Sequence, residues 1–355
     1  MKRERVTMKI YGFNSYGGPE VEEFLDVPEP VLRPGTVLIE TVAVGVNPAD
    51  IKVRSGARQA GFPVEFPMAM GREAAGIVVD SWRSPKSEEF AAARVRPGQP
   101  IPPAFPVGAT VFGSCAEGVG ALGERTLLEE SSVAGAVSGL SLERAACIPV
   151  AVGTAFDAVS ELDIGHGENV VVLGAGGGVG IHAAQFAAMA GACVFGVASE
   201  EKKDFVELRG VRHVPSGPGL AERVSEAVRN VSGPSRVDAL IDCVGGDALR
   251  ELAALVDRSA GGNGRSRRIR SLADKETVAE VGGSGVRRRR TSEVFGDIAE
   301  RARRRDFEIS LSDVIPFGNA HDAMRVVEGG HARGKIVVTF PKGETPYLAE
   351  GSDVE

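Results

Sequence analysis

The sequence predicts an α/β protein in which a β-rich domain is followed by a doubly wound parallel sheet. Short apolar runs separated by turn-forming residues fill residues 8–80, which is typical of a sheet with many loops. From residue 141 onward, apolar strands alternate with helical stretches, which is typical of a parallel sheet covered by helices. The chain has 355 residues, more than one hydrophobic core usually serves, so two domains are expected.

The composition argues against several functional classes. Hydrophobic residues make up 43% and charged residues 25%, as in ordinary globular proteins, and the net charge of -7 argues against a nucleic-acid partner. No apolar run approaches the roughly 20 residues of a membrane span, and none of signal-peptide length follows the charged residues 1–5. We therefore expect a cytoplasmic protein with no membrane partner. The four cysteines are scattered without a Cys-x-x-Cys pair, so neither a structural zinc site nor a redox pair is indicated.

The β-rich part contains several short strand-like runs and one polar insertion. The apolar runs lie at 37–39, 42–44 and 74–79, and a further strand is expected at 107–113. Between them, residues 82–106 are rich in Ser, Pro, Arg and Glu, which predicts an exposed irregular excursion.

The second half follows a strand and helix alternation. Residues 142–162 are Ala-rich and predict a helix that Pro149 and Gly153 interrupt. The strands expected after it are 170–173, 193–197 and 237–241, with helices at 181–190 and 220–231, then a helix at 294–305 and a last strand at 335–340. Residues 256–292 predict an irregular arginine-rich surface with one weak strand near 269–272.

The stretch NVVVLGAGGGVGIHAAQ (169–185) predicts a phosphate-binding turn between a strand and a helix. Its glycines at 174, 177 and 180 allow a sharp turn, a close approach of a pyrophosphate to backbone amides, and tight packing of the following helix. The helix N-terminus also favours an anion. A glycine cluster can be only a tight turn, but the flanking strand, helix and second strand favour dinucleotide binding.

The end of the second strand indicates which dinucleotide is bound. NAD sites carry an acidic side chain there, whereas NADP sites carry hydroxyls and cations for the 2′-phosphate. Here Ser199 is followed by Lys202 and Lys203, and the carboxylates come one residue late. We therefore favour NADPH; the alternative is a capped helix start that carries ordinary surface charges.

At this point the chain resembles the zinc-independent NADPH:quinone oxidoreductase family of the medium-chain dehydrogenase/reductase (MDR) superfamily. The resemblance rests on the motifs YGGPEV (16–21), VGVNPADIKVRSG (44–56), GREAAGIV (71–78), GTA (153–155), LGAGGGVG (173–180), DCVGG (242–246) and GHARGKIVV (330–338).

The resemblance implies a GroES-like catalytic domain and a Rossmann domain that binds NADPH. It places the first part of the catalytic domain at 1–140, the Rossmann domain at 141–285, a segment completing the catalytic domain at 286–342 and a tail at 343–355. This order explains why the glycine turn lies so late in the chain. A homodimer is also expected.

The resemblance also assigns site residues. It places Asn47 at the nicotinamide end of the cleft and Thr154 against the nicotinamide or its ribose. The residues assigned to the pyrophosphate turn and to a loop passing the cofactor are Gly174, Gly177, Gly178, Val179 and Gly180, and then Cys243 and Val244. We expect Asn47 to act in catalysis, by orienting the acceptor or donating to its developing negative charge; the alternative is that it only opens a turn. Lys52 can stabilise an incoming oxyanion or simply be a solvent-facing loop charge.

Zinc is not expected. Where zinc-dependent relatives carry a cysteine ligand and a Gly-His-Glu motif, this chain has Asn47 and Gly71-Arg72-Glu73. Without a Lewis acid, the expected reaction is hydride transfer to acceptors that are already electrophilic, namely quinones and α,β-unsaturated carbonyls.

Other functions remain open at the level of sequence. The enzyme could be an enone or enoyl reductase of a biosynthetic pathway, or the chain could be a non-catalytic NADPH-binding protein. The tyrosine that enoyl reductases of the mitochondrial type carry is absent from 56–58, and GALGERT (120–126) departs from the family pattern. An arginine-rich segment, 265–290, could bind nucleic acid or an acyl phosphate, although such runs are most often solvated surface.

Overall fold

The computed structural model describes residues 7–95, 99, 101–233, 236–257 and 267–341. The strands are β1 Thr7–Phe13, β2 Glu22–Pro28, β3 Thr36–Val46, β4 Met68–Ala69, β5 Glu73–Trp82, β6 Thr110–Cys115, β7 Arg125–Gly135, β8 Asn169–Leu173, β9 Cys193–Ala198, β10 Arg212–Pro215, β11 Ala239–Asp242, β12 Ile269–Ser271, β13 Ser284–Gly285, β14 Leu311–Pro316 and β15 Lys335–Thr339. The α-helices are α1 Pro48–Arg54, α2 Pro85–Ala92, α3 Leu142–Ala145, α4 Gly153–Leu162, α5 Gly180–Met189, α6 Lys203–Glu207, α7 Leu220–Ser232, α8 Gly246–Ala253, α9 Lys275–Glu280, α10 Ser292–Arg303 and α11 Ala320–Gly329. Short 3₁₀ turns occur at Pro19–Val21, Glu200–Lys202 and Phe317–Asn319, and a π-helical turn at Ile148–Val152.

The β-rich part is built around a partly closed sheet. Its strand order is β14-β15-β3-β5-β6-β7, and β7 also pairs with β3, so β3, β5, β6 and β7 form a barrel. A smaller sheet, β2-β1-β4, lies beside it. The late strand β15 runs antiparallel to β3, with Ile336 opposite Val46. Strands from the two ends of the described chain therefore meet in one sheet.

The second sheet is parallel and doubly wound, with the order β10-β9-β8-β11-β12-β13. The chain moves outward from β8 through β9 to β10 and then returns to the other side of β8 as β11. At such a switch point the loops at the carboxyl ends of the two central strands separate and leave a crevice, where ligands bind in this architecture. The predicted fold class, a β-rich domain plus a doubly wound parallel sheet, is confirmed.

Each face of the parallel sheet is covered by an apolar core. On one face, side chains of α7 and α8 pack on the sheet, including Val224, Val228 and Leu249. On the other, α4, α5 and α10 pack in a core that extends into the barrel through Ala43 and Phe112. This shared core holds the barrel against the parallel sheet beside the crevice.

The helical stretch Leu142–Leu162 has the interruptions expected from its sequence, because a π-helical turn accommodates Pro149 and α4 starts at Gly153. Among the described residues it is long and apolar enough to cross a membrane, with a mean hydropathy of 1.4. However, 83% of that window is buried within the fold, as in a core helix of a globular protein.

Two predicted irregular segments contain regular structure. Within 82–106, α2 starts after Ser84, whose Oγ accepts the amide of Ser87, and Pro85 takes the first helical position. Within 256–292, the helix α9 starts at a similar cap, Asp274, and lies between β12 and β13. These helices were missed because both are short and polar. Residues 258–266 and the predicted tail 343–355 lie outside the described residues.

Candidate functional site

A cavity of about 800 Å³ opens at the switch point of the parallel sheet and reaches the barrel. The segments that form it are the glycine turn after β8, the end of β9, the loop after β10, the loop after β11, the start of α1 and the loop that leads into β15, with residues of α8 and of the π-helical turn. Its lining includes Val46, Asn47, Ala151, Gly174, Gly177, Gly178, Val179, Gly180, Ser199, Lys202, Ser216, Cys243, Val244, Glu251, His331 and Lys335. Its volume suits a ligand larger than a single sugar or amino acid.

The glycine turn fits a pyrophosphate. Gly174 has a φ of +85°, a conformation that favours glycine, and a Cβ on Gly180 would stand 2.2 Å from the carbonyl oxygen of Gly174. A Cβ on Gly177 would meet only that same oxygen, at 3.5 Å, so the remaining space around it belongs to the cavity. The space beside Gly177 is therefore open to an anion, and the N-terminus of α5 lies beside it. The amide of Gly177 itself donates to the carbonyl oxygen of Gly174 at 3.1 Å.

A buried histidine links this turn by hydrogen bonds to the residue that precedes β14. The Nδ1 atom of His182 lies 2.6 Å from the carbonyl oxygen of Gly178, and its Nε2 accepts the amide of Ser310 at 3.1 Å. Because Nε2 accepts a hydrogen bond, the proton lies on Nδ1 and the ring is neutral. Burial lowers the pKa of His182 to about 4.

Because the pKa of His182 is lowered in the folded chain, the protein is expected to lose stability in mild acid. In unfolded chains His182 becomes protonated near pH 6.5, whereas in the folded chain it becomes protonated only near pH 4. The stability that the protein has with a neutral His182 is therefore complete above pH 6.5 and is lost as the pH falls toward 4. The loss is expected to reach roughly 3 kcal/mol. Urea unfolding at pH 7.5 and pH 4.5 measures it, with His182→Gln as the comparison. A variant that shows the same pH dependence as the parent would contradict this assignment.

At the end of β9, the predicted phosphate-binding residues separate into two groups. Ser199 and Lys202 line the cavity. The ammonium of Lys202 donates to the carbonyl oxygens of Ala332 at 2.8 Å and Gly330 at 3.2 Å, and burial lowers its pKa. Lys203 is exposed at the start of α6 and does not line the cavity, which corrects its predicted role.

At the barrel end, Asn47 belongs to a closed buried network. Its Nδ2 donates to Glu73 at 2.8 Å and to the carbonyl oxygen of Gly45, and its Oδ1 accepts from Lys335 at 2.6 Å. Lys335 lies 3.0 Å from Glu73 and donates to Val46 as well, with both ionised side chains no more than 2% exposed. Every polar atom of the Asn47 side chain is therefore occupied, so Asn47 positions the cavity wall instead of donating to a substrate.

Glu73 and Lys335 hold the Asn47 end of the candidate site together, and the sequence interpretation gave neither a role. Both stand in motifs that it quoted, GREAAGIV and GHARGKIVV, but no role followed from the motifs. Glu73 also accepts the amide of Val150, at the π-helical turn, at 2.6 Å. The available signal was a charged residue directly before an apolar run in each strand, AAGIVV after Glu73 and IVV after Lys335.

Two further predicted residues lie off the cavity. Thr154 is buried and its hydroxyl donates to the carbonyl of Val150 on its own helix, while Ala151 lines the cavity in its place. Lys52 is exposed on α1, and its Nζ lies 3.5 Å from the carbonyl oxygen of Ala273. Neither side chain reaches the cavity, so the roles predicted for them are not supported.

The loop after β11 lines the cavity as predicted for Cys243 and Val244. Asp242 shapes this loop, because its Oδ1 accepts the amides of Val244 and Gly245 at 2.8 Å. Burial, and then the charge of Asp242, raises the pKa of the Cys243 thiol. Cys243 therefore forms a neutral wall of the cavity, because a thiol nucleophile acts as the thiolate.

Arg72 stands where the resemblance places a zinc ligand. Its guanidinium donates to the carbonyl oxygen of Val119 at 2.6 Å and lies 4.5 Å from the centre of the Phe62 ring. Among the residues that the structure describes, no three or more His, Cys, Asp or Glu side chains come together in a way that could hold a metal ion.

Two protein-family models match separate parts of this chain. Residues 33–145 match the model of the alcohol dehydrogenase GroES-like domain, and residues 210–338 match that of the zinc-binding dehydrogenase. The chain is 27% identical over 346 residues to the chloroplastic NADPH-dependent alkenal/one oxidoreductase of Arabidopsis thaliana, covering 93% of this chain and 79% of that relative.

Two other similarities extend along nearly the whole chain. The chain is 29% identical over 350 residues to the spectinabilin polyketide synthase system protein NorB of Streptomyces orinoci, which covers 93% of this chain but only 14% of NorB. The solved quinone oxidoreductase of Coxiella burnetii shares the fold, with a TM-score of 0.76 at 23% identity, over 94% of this chain and 99% of that one.

Proposed function

The chain belongs to the medium-chain dehydrogenase/reductase superfamily, and from this premise we propose that it is an NADPH-dependent, zinc-independent oxidoreductase that reduces a quinone or an α,β-unsaturated carbonyl. One observation carries the proposal: a single cavity runs from the glycine turn to the network of Asn47, Glu73 and Lys335. The Arabidopsis relative is named as an NADPH-dependent alkenal/one oxidoreductase, which supports the same substrate class.

Each part of the cavity has a distinct task in this proposal. The backbone amides near Gly177 and the N-terminus of α5 bind the pyrophosphate, and Ser199 with Lys202 binds the 2′-phosphate. NADPH supplies the hydride when bound. The wall at Asn47 holds the acceptor in line for the transfer, and a large part of the rate enhancement comes from this orientation. The reduced acceptor takes its proton from water, so no protein acid is required.

The cofactor preference can be tested at one side chain. Lys202→Ala is expected to weaken NADPH binding about tenfold or more and to leave NADH binding nearly unchanged, because a charge-assisted bond to a phosphate contributes roughly 1.5–3 kcal/mol. Fluorescence titration with both cofactors measures this. Lys203→Ala is the matched control, since Lys203 lies off the cavity. Equal losses for NADPH and NADH would refute a 2′-phosphate role for Lys202.

Measurements of NADPH oxidation with different acceptors test the proposed function itself. The purified chain is mixed with NADPH and a set of quinones, enones and alcohols, and its metal content is measured by elemental analysis. We expect NADPH oxidation with quinones or enones, no stoichiometric metal and no effect of chelators. About one zinc per chain with alcohol oxidation would overturn the proposal. NADPH binding without any turnover would identify a non-catalytic binding protein instead.

The similarity to NorB favours a second candidate, reduction of an enoyl thioester in a biosynthetic pathway, because that relative is named as part of a polyketide synthase system. The two candidates share the cofactor and differ in the acceptor. The ratio of kcat/KM for a short enoyl thioester to that for a simple quinone separates them, and a ratio well above one favours the second candidate.

A further inference from the structure

The loop between β10 and α7, residues 216–219, forms one wall of the cavity with little side-chain bulk. Its residues Ser216, Gly217 and Pro218 line the cavity. Gly217 and Gly219 have φ values of +111° and +74°, which other residues rarely adopt. The wall is therefore made largely of backbone, and its shape depends on how the peptide groups of the loop are held.

This wall lies at the end of the cavity that the proposed function gives to the adenosine of NADPH. β10 runs parallel to β9 with Pro215 beside Ala198, and the amide of Ser216 donates to the carbonyl oxygen of Ala198 at 2.9 Å. Ser216 therefore follows β10 at the same edge of the sheet where Ser199 follows β9. Ser199 and Lys202 are the residues proposed for the 2′-phosphate, which NADPH carries on the ribose of its adenosine. The adenosine is therefore expected to lie against this loop.

Arg223, in the first turns of α7, holds three carbonyl groups of this part of the chain. Its Nε donates to the carbonyl oxygen of Pro215 at 3.0 Å, and its Nη2 donates to that of Gly217 at 2.8 Å. Its Nη1 donates to the carbonyl oxygen of Pro218. Because each peptide group is planar, these bonds fix the orientation of three peptide planes between residues 215 and 219.

Arg223 acts on the loop from outside the cavity. It does not line the cavity, and it lies instead in a separate hollow of about 220 Å³ that His213, Pro215 and Glu226 also line. The inner surface of the loop is therefore left to a ligand. A guanidinium suits this task because its donors are fixed in one plane and it stays charged.

A second contact holds the far end of the loop. Glu251 on α8 lines the cavity, and its Oε1 accepts the amide of Ala221, in the first turn of α7, at 2.7 Å. Leu220, where α7 begins, also lines the cavity. The loop is thus held on its outer side by Arg223 and at its junction with α7 by Glu251.

We propose that Arg223 is a positioning residue for the cofactor, which presents the loop 216–219 as a preformed backbone wall to the adenosine of NADPH. This inference rests on the proposed function, and it adds a residue outside the cavity to it. A preformed loop lowers the cost of ordering the site on binding. Without Arg223, only the fraction of molecules that has the loop in the binding conformation can bind, and the apparent affinity decreases in proportion to that fraction.

The variant Arg223→Gln tests this role. Calorimetric titration with ADP-ribose, which carries the adenosine but no nicotinamide, is expected to show an affinity about tenfold below that of the parent, as when about one molecule in ten keeps the loop in place. The affinities for NADPH and NADH should decrease by the same factor, whereas Lys202→Ala weakens NADPH binding selectively. The KM for NADPH should rise about tenfold while kcat changes by less than about twofold, because hydride transfer takes place at the other end of the cavity.

Arg229→Gln is the matched control, because Arg229 is exposed in the last turn of the same helix and does not line the cavity. It should keep the affinities of the parent. Urea unfolding checks that each variant is folded. If Arg223→Gln does not fold, Arg223→Lys, which keeps the charge and reaches fewer carbonyl groups, gives the same comparison.

An ADP-ribose affinity equal to that of the parent in the Arg223 variant would overturn the role, and so would a kcat that decreases as much as the affinity. A parent that binds no ADP-ribose would also overturn it. If the parent binds ADP-ribose but oxidises NADPH with no acceptor, the proposed function fails, whereas the ADP-ribose affinities still decide the role of Arg223.

Discussion

Gly177→Val is expected to abolish measurable NADPH binding in a chain that remains folded. A Cβ at this position meets only the carbonyl oxygen of Gly174, at 3.5 Å, so the protein itself tolerates it. The rest of the valine side chain would stand in the cavity, where the pyrophosphate must approach the backbone. Loss of two or more charge-assisted contacts weakens binding at least about 100-fold.

Binding is measured by fluorescence titration, and folding by circular dichroism and urea unfolding. Gly135→Val is the control, since Gly135 ends β7, a Cβ added there would meet no atom within 4 Å, and valine suits a strand. NADPH affinity within about threefold of the parent, a change of under 1 kcal/mol, would show that the cofactor does not use this turn.

Lys335→Met is expected to cause the largest loss of stability. It leaves the Glu73 carboxylate, which is 0% exposed, without its cation, and breaking a buried ion pair from one side costs about 3–5 kcal/mol. Asn47 loses the donor to its Oδ1 in the same change, so the cavity wall becomes less ordered and turnover should also decrease. Urea unfolding measures the free energy, and NADPH oxidation measures the rate.

The double variant Glu73→Gln/Lys335→Met separates the unpaired charge from the lost packing. A glutamine can keep the bond from Asn47 and carries no charge, so the double variant should recover at least half of the lost stability. If it is no more stable than Lys335→Met, the ion pair is not the source of the effect.

At the glycine turn, the structure contains the strand, turn and helix that the local sequence predicted. The spacing of Gly174, Gly177 and Gly180 acts within one strand, turn and helix, so neighbouring residues determine its structure. Cys243 and Val244 reach the same cavity because parallel strands bring their carboxyl ends to one edge of the sheet. Short polar helices such as α2 were missed because their composition is also that of a loop.

Features that depend on distant residues could not be predicted. Glu73 and Lys335 are 262 residues apart, and nothing near either indicates the other. Lys52, Thr154 and Lys203 lie close in sequence to the motifs that suggested them, yet the direction of each side chain is set by packing.

The strand β15 determines when this protein can become functional during its synthesis. The barrel strands β3 to β7 leave the ribosome well before residue 335. Until Lys335 has been synthesised, Glu73 cannot form its ion pair and Gly177 cannot form its β-bridge to Gly334. Contacts of such long sequence separation form slowly, because the chain must close a large loop first. We expect the nascent protein to gain affinity for its cofactor only after β15 docks. A cofactor that binds only the docked form would then favour docking, so its supply would promote maturation of the chain.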